Sequence, residues 1–194
     1  VARDYGEILR NKEFMRYTLG FAVAMSALFA YITGSSFIFL DYYGLSERAF
    51  GAVFGINALG MTLVSALNAK LVQKREPAAL LNFGLIAMFA MSLILFACSM
   101  LGLPFICFEL SLFALLSSLG FIAPNATTLA MALFKGGRSG AASAVLGTTQ
   151  FAIAGAVSFI VGAVGANEPL LLAGVMIVCA LSANAIYFAM REKR

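Results

Sequence analysis

The sequence predicts an all-α membrane protein with six transmembrane helices. Of the 194 residues, 62% are hydrophobic and only 11% are charged, and the mean hydropathy is +0.95. Soluble domains usually carry about 25% charged residues, and a surface in water needs polar groups to cover it. A chain of this composition is therefore suited to the lipid bilayer.

Six apolar runs are long enough to cross a bilayer, which takes roughly 20 residues per helix. Backbone polar groups find no water in lipid, so runs of this length are expected to be helical. Pro77, Pro104 and Pro169 each stand where a span begins, a position at which the missing N–H costs little. The predicted spans are Tyr17–Leu40, Ala49–Val72, Pro77–Met100, Pro104–Phe134, Ser139–Val164 and Pro169–Met190.

The positions of Lys and Arg predict the orientation. Twelve of the 13 lie in the first tail, in the loops after the second and fourth spans, or in the last tail, and Arg48 alone lies on the other side. Because cationic loops mark the cytoplasmic face, we expect both termini in the cytoplasm. Residues 1–16 are then a cytoplasmic linker, which suggests a piece of a longer protein, and residues 191–194 are a cytoplasmic tail.

The composition also excludes several function classes. Cys98, Cys107 and Cys179 all lie in apolar runs and the chain has no histidine, so we expect free buried thiols and no metal site or cofactor. An intramembrane hydrolase would need a serine with a His or Asp partner, and the sequence has no GxSxG. A channel usually shows paired filter motifs or rings of charge. The net charge of +4 follows from the cytoplasmic loops and implies no nucleic-acid partner.

The six spans differ in polarity. The third and sixth carry no ionisable residue and few polar ones, which predicts a scaffold that faces lipid. The first, second, fourth and fifth hold the glycines, hydroxyls and amides, so we expect function to depend on them.

Glycines form stripes on two of these spans. The second span contains a GxxxG motif at Gly51 and Gly55, and small residues let helices approach closely in lipid. Static packing and a sliding contact both fit the pattern, and both predict a helix interface. In the fifth span, intervals of seven, eight and seven residues place four glycines on one face: Gly140, Gly147, Gly155 and Gly162.

Two spans carry sequences that interrupt helices. The first span contains Tyr-Ile-Thr-Gly-Ser-Ser over residues 31–36, which predicts a break near its outer end, although hydroxyls can also bond to their own helix. The fourth span contains Pro124, which predicts a kink. Interrupted helices beside polar residues are typical of transporter binding sites, but many inert helices are kinked as well.

Glu109 is the charged side chain that lies clearly within a span. Acids inside the membrane are functional candidates, so Glu109 is a candidate for proton coupling. It lies only about 8 Å along the helix from Pro104, so a position near the headgroups also fits. Asn57 and Gln150 are uncharged candidates for contacting substrate or for linking helices.

Three stretches together resemble the major facilitator superfamily, and specifically the C-terminal half of its bicyclomycin-resistance (Bcr/CflA) branch. They span residues 28–71, 120–134 and 140–158, and their order and spacing match the six spans. The resemblance implies a twelve-helix protein in which these are helices seven to twelve. It also implies half of a major facilitator superfamily fold, made of two inverted three-helix repeats over residues 17–100 and 104–190.

The resemblance implies a function. Members of this family generally export drugs in exchange for protons by alternating access, with the first and fourth spans lining a cavity and the second and fifth meeting the other half. The chain departs from the family pattern at Ser36, where relatives often have proline. Glu109 matches no family motif, and the acids that couple transport to protons are commonly in the N-terminal half of such proteins. By its matching motifs the resemblance implies these cavity residues: Tyr31, Thr33, Ser35, Asn57, Asn125 and Gln150.

The leading hypothesis is therefore half of a proton-coupled exporter of amphipathic small molecules in the bacterial inner membrane. Its partners would be the N-terminal six-helix half, the lipid bilayer and protons. A second hypothesis is a half-length transporter that pairs with a second copy of itself. A third, of another class, is a membrane protein with a structural or assembly role and no transport.

Overall fold

The computed structural model describes residues 2–134, 138–165 and 168–190, with side chains from Tyr5 onward. The predicted tail over 191–194 lies outside the described residues. Within them, six helices are long and apolar enough to cross a membrane, and no strand is present. The elements are α1 (Ala2–Arg10), α2 (Lys12–Ser36) with a π-helical continuation (Phe37–Tyr42), α3 (Glu47–Leu71), α4 (Pro77–Met100), α5 (Phe105–Ala132), α6 (Ser139–Val164) and α7 (Pro169–Ala189).

The predicted linker contains a helix of its own. Helix α1 ends at Arg10, and the side chain of Asn11 caps α2 by accepting a 2.9 Å hydrogen bond from the Phe14 amide. The first span therefore begins at Lys12, five residues earlier than the hydropathy indicates. Ile8 of α1 is fully buried. The apolar face of α1 therefore packs against the helix bundle.

The expected break at residues 31–36 is absent, and the helix widens one turn later instead. Helix α2 remains α-helical to Ser36, where the Ser35 hydroxyl donates to the carbonyl of Ile32 over 3.3 Å. The hydroxyl of Ser35 thus bonds within its own helix, that of Thr33 bonds to Ser158 of α6, and neither interrupts α2. From Phe37 to Tyr42 the backbone is π-helical, a feature that is frequent at functional sites.

The main helix contacts have a two-fold pattern. Helix α2 packs on α6 and α7, α5 packs on α3 and α4, and the pairs α2–α5 and α4–α7 also meet. Exchanging α2 with α5, α3 with α6 and α4 with α7 reproduces the same set of contacts. Since successive spans alternate in direction, α5 runs opposite to α2. This is the arrangement expected for two inverted three-helix repeats.

Helices α2 and α5 form the centre of the bundle, and α3 and α6 form its edges. Among the six spans α5 is the most buried and α3 the least. The scaffold helices α4 and α7 pack behind α5 and α2 and against each other, and their outward residues are large and apolar, such as Phe83, Ile86 and Val178. This is consistent with the lipid-facing role predicted for them.

The glycines in close helix contacts are not the ones the stripes indicated. A Cβ on Gly51, Gly55, Gly140, Gly147 or Gly155 would meet no atom within 4 Å in the described structure, and one on Gly162 would lie 3.6 Å from Thr33. The close approaches instead occur at Gly60, Gly84 and Gly120, where a Cβ would come within 3 Å of a neighbouring helix. The interface predicted for the stripes would therefore need a partner outside this chain.

Candidate functional site

Three of the predicted residues meet at one buried site between α2, α3 and α5. The side-chain amide of Asn57 donates a 3.2 Å hydrogen bond to the hydroxyl of Tyr31. Both residues are neighbours of the Glu109 carboxyl group. The exposed fractions of Tyr31, Asn57 and Glu109 are 2%, 1% and 8%. We refer to these three residues as the polar cluster.

The polar cluster has unused hydrogen-bonding capacity. Among the described residues, neither carboxylate oxygen of Glu109 has a hydrogen-bond partner, and the same holds for Oδ1 of Asn57. Such groups are costly to bury, and native structures keep few of them. Glu109 faces the interior of the helix bundle, and its depth relative to the headgroups stays a prediction from the sequence. An acid in that position is a functional candidate.

Aromatic rings lie between the polar cluster and one end of the bundle. Phe39 contacts the rings of Phe50, Phe105 and Phe108 at centroid distances of 5.6 to 6.4 Å. The π-helical segment lies at one end of the bundle. All four residues are closer to that end than the polar cluster is. Phe39 also contacts the ring of Tyr31. The four rings thus pack together on that side of the cluster.

The other predicted cavity residues lie apart from the polar cluster. The hydroxyl of Thr33 is hydrogen-bonded to that of Ser158, which joins α2 to α6. Ser35 is buried and bonds to its own helix, and Gln150 is half-buried on α6. Asn125 is buried on α5, sixteen residues beyond Glu109. The structure does not bring these four residues into one site.

Asn125 belongs to a second polar contact, between α3 and α5. Its amide donates to Oδ1 of Asn68 over 2.6 Å and to the carbonyl of Phe121 over 2.7 Å. Asn68 is 3% exposed and is not among the residues predicted from the sequence. The signal was present, because Asn68 follows Asn57 by eleven residues and therefore lies on the same helix face, three turns further on.

A groove runs beside this second contact. It has a volume of about 560 Å³ and lies between α2, α3 and α5, next to Gly120 and Pro124. Met25, Met61, Thr62 and Ser65 contribute flexible apolar and hydroxyl side chains to its wall. The chemistry of this wall suits an apolar ligand with a few hydrogen-bonding groups. No group of three His, Cys, Asp or Glu side chains in the described part of the chain is placed to hold a metal.

Fold and site together define a multi-pass helical membrane protein with a buried polar site between central helices. The chain belongs to the Major Facilitator Superfamily, whose family model matches residues 1–159. This is a family of membrane transporters and not of enzymes.

Two curated relatives resemble the chain over almost its whole length. An "Uncharacterized MFS-type transporter YdgK" of Bacillus subtilis is 28% identical over 192 residues, which cover 99% of this chain and 47% of the relative. A "Bicyclomycin resistance protein homolog" of Haemophilus influenzae is 25% identical over 190 residues, covering 97% of this chain and 47% of the relative. The chain thus spans about half the length of the curated relatives it matches.

Proposed function

We propose that this chain is the C-terminal six-helix half of a proton-coupled exporter of amphipathic drugs, working by alternating access in a bacterial inner membrane. Three observations support the proposal: the family, the name of the Haemophilus relative, and the match to about half of each relative's length. The placement of the Lys and Arg residues supports a cytoplasmic position for both termini.

The observation that carries the proposal is the unpartnered carboxylate of Glu109 beside Asn57 and Tyr31. A carboxylate without a fixed partner is free to take up a proton, to release it, or to pair with a cationic substrate when the site opens. Alternating access supplies that opening, because the two halves of such a transporter rock about a central site. Glu109 then links the proton to the conformational change, and the neighbouring amide and hydroxyl hold the substrate or the proton path.

Drug recognition is assigned to α2, α3 and α5. The groove between α2, α3 and α5 offers methionine and hydroxyl side chains, which select by shape and apolar contact and tolerate varied ligands. Thr33 and Gln150, which are half-buried, are proposed to contribute to the surface that faces the other half. Tyr31, Ser35, Asn57 and Asn125 are buried within this chain and are proposed to support that surface from inside the bundle. The open stripes on α3 and α6 are the proposed contact with that half, because small residues leave room for close helix approach.

Efflux of a fluorescent cationic dye from cells tests the proposal. The chain is expressed alone and together with a six-helix N-terminal half that completes it. Efflux is expected only with both halves, and an uncoupler that collapses the proton gradient should stop it. Glu109→Gln should abolish the proton dependence, whereas Glu47→Gln, which changes an exposed acid at the start of α3, should retain it.

The other outcomes separate the alternatives. Efflux by the chain alone would favour a half-length transporter that pairs with itself. If both cultures are silent while the proteins are present in the membrane, the drug-export proposal is wrong. A role without transport would then have to be considered for this member of the family.

A further inference from the structure

A second groove shares no helix with the polar cluster. It lies between α4, α6 and α7 and has a volume of about 650 Å³. Phe96, Val157, Ile160 and Val178 are among the apolar side chains that form its wall. In a bilayer, a groove of this kind on the outside of a helix bundle is open to hydrocarbon chains.

The groove has one charged group, at its mouth. Glu168 is exposed and is the last residue before α7, whose sequence is apolar from Pro169 onward. Glu168 therefore marks the height at which the span leaves the hydrocarbon and meets the headgroups. Its backbone carbonyl accepts hydrogen bonds from the amides of Leu171 and Leu172, which fix the residue at the helix start.

Within the part of the chain that the structure describes, the Glu168 carboxylate is available to a ligand. It makes no capping hydrogen bond to α7. Over residues 2–134, 138–165 and 168–190, no Lys or Arg side chain forms an ion pair with it. A lone carboxylate above an apolar wall is complementary to a molecule with a cationic head and a hydrocarbon tail.

We propose that this groove binds an aminophospholipid, with one acyl chain along α6 and α7 and the headgroup ammonium paired with Glu168. A primary ammonium carries N–H donors, so it forms a charge-assisted hydrogen bond with the carboxylate. A quaternary choline has the charge but no donor, and a glycerol headgroup leaves the lipid anionic. The order of preference is therefore phosphatidylethanolamine, then phosphatidylcholine, then phosphatidylglycerol.

Gly174 provides the depth of the groove. It lies on α7 facing α4, where a Cβ would come no closer than 3.9 Å to the ring of Phe96. Because Gly174 has no side chain, the groove stays open beside α7 at this position. A leucine side chain would occupy that space, so Gly174→Leu should exclude the acyl chain whatever the headgroup.

Lipid binding to the purified chain tests the proposal. Native mass spectrometry from detergent micelles is used to titrate the chain with phosphatidylethanolamine, phosphatidylcholine and phosphatidylglycerol of matched acyl chains. One saturable phosphatidylethanolamine adduct is expected at lower concentration than for the other two lipids. Glu168→Gln should weaken that adduct by about two- to fivefold, the value of one exposed ion pair, and Glu168→Lys should shift the preference to phosphatidylglycerol.

The controls separate this site from general lipid adhesion. Glu47→Gln removes an exposed acid at the start of another span and should leave all three titrations unchanged. Gly174→Leu should remove the saturable adduct for every lipid. If that variant does not elute as a folded helical protein, the Glu168 variants alone decide. Equal binding of the three lipids, or equal effects of Glu168→Gln and Glu47→Gln, would overturn the proposal.

Discussion

Gly120 of α5 lies directly against the backbone of α3 at Met61. A Cβ at Gly120 would come within 2.8 Å of the Met61 carbonyl oxygen and of the Ser65 amide nitrogen. Backbone atoms cannot move aside as a flexible side chain can, so this position tolerates only hydrogen. Close approach of this kind is how helices gain packing energy in lipid, where the hydrophobic effect does not drive them together.

Gly120→Ala is therefore expected to destabilise the chain by about 1 to 3 kcal/mol, because the added methyl group forces α3 and α5 apart. The free energy of unfolding from an SDS titration in mixed micelles measures the effect. Gly155→Ala is the matched control, since a Cβ there meets nothing within 4 Å of the described structure. An equal loss of stability in both variants would contradict the assigned contact.

The contrast between these glycines shows what periodicity can and cannot predict. The spacing of Gly140, Gly147 and Gly155 correctly places them on one face of a helix. It does not indicate whether this chain supplies the surface that covers that face. Gly120 stands alone in its span and belongs to no stripe, so only the packing of α5 on α3 identifies it.

Tyr31→Phe is expected to destabilise the polar cluster by about 1 kcal/mol. The change keeps the aromatic ring and its stacking on Phe54 but removes the hydroxyl that accepts from Asn57. The Asn57 amide is then buried without that partner. Tyr42→Phe alters an exposed tyrosine in the π-helical segment and should have no effect on the unfolding midpoint. If both variants unfold alike, the Tyr31–Asn57 hydrogen bond contributes nothing.

Glu109→Gln is expected to raise the free energy of unfolding at pH 7 by about 1 to 3 kcal/mol. It replaces a buried carboxylate, neither oxygen of which has a hydrogen-bond partner among the described residues, with an uncharged amide that costs less to bury. Asp41→Asn, a change at an exposed acid, should leave the free energy unchanged. Such a gain is typical of residues that are kept for function at a cost in stability. A stability loss on Glu109→Gln would show that the carboxylate has a stabilising partner.

The sequence predicts the individual residues of the polar cluster better than it predicts that their side chains lie together. Glu109 stands out as an acid inside a span, Asn57 as an amide inside another, and Tyr31 through the family resemblance. Nothing in the spacing of one helix indicates that these three side chains point at each other. That depends on the contacts of α5 with α2 and α3, which arise from long-range packing.

The contact between Asn68 and Asn125 is expected to couple the two residues energetically. The variants Asn68→Ala, Asn125→Ala and the double variant form a mutant cycle, and the coupling should be about 0.5 to 1.7 kcal/mol, as for other hydrogen bonds between membrane helices. Asn184→Ala, which removes a hydrogen bond from α7 to the Leu85 carbonyl, should be additive with Asn125→Ala. Additivity in both cycles would mean that the 2.6 Å contact carries no net energy.

Arg16 is expected to hold α2 against α7. From the sequence, its charge was used only to predict which side of the membrane is cytoplasmic. Its guanidinium lies 4.5 Å from the ring centroid of Tyr17 and 4.8 Å from that of Tyr187, and it donates a 2.7 Å hydrogen bond to the Tyr17 hydroxyl. A planar guanidinium between two aromatic rings gains cation–π attraction from both. The ammonium of lysine, on its flexible side chain, does not stack on two rings in this way. Arg16→Lys should therefore cost about 1 to 2 kcal/mol of stability although the charge is kept. Arg10→Lys, on the exposed side of α1, should cost nothing measurable in the same SDS titration. If Arg16→Lys unfolds like the parent chain, the residue acts by its charge alone.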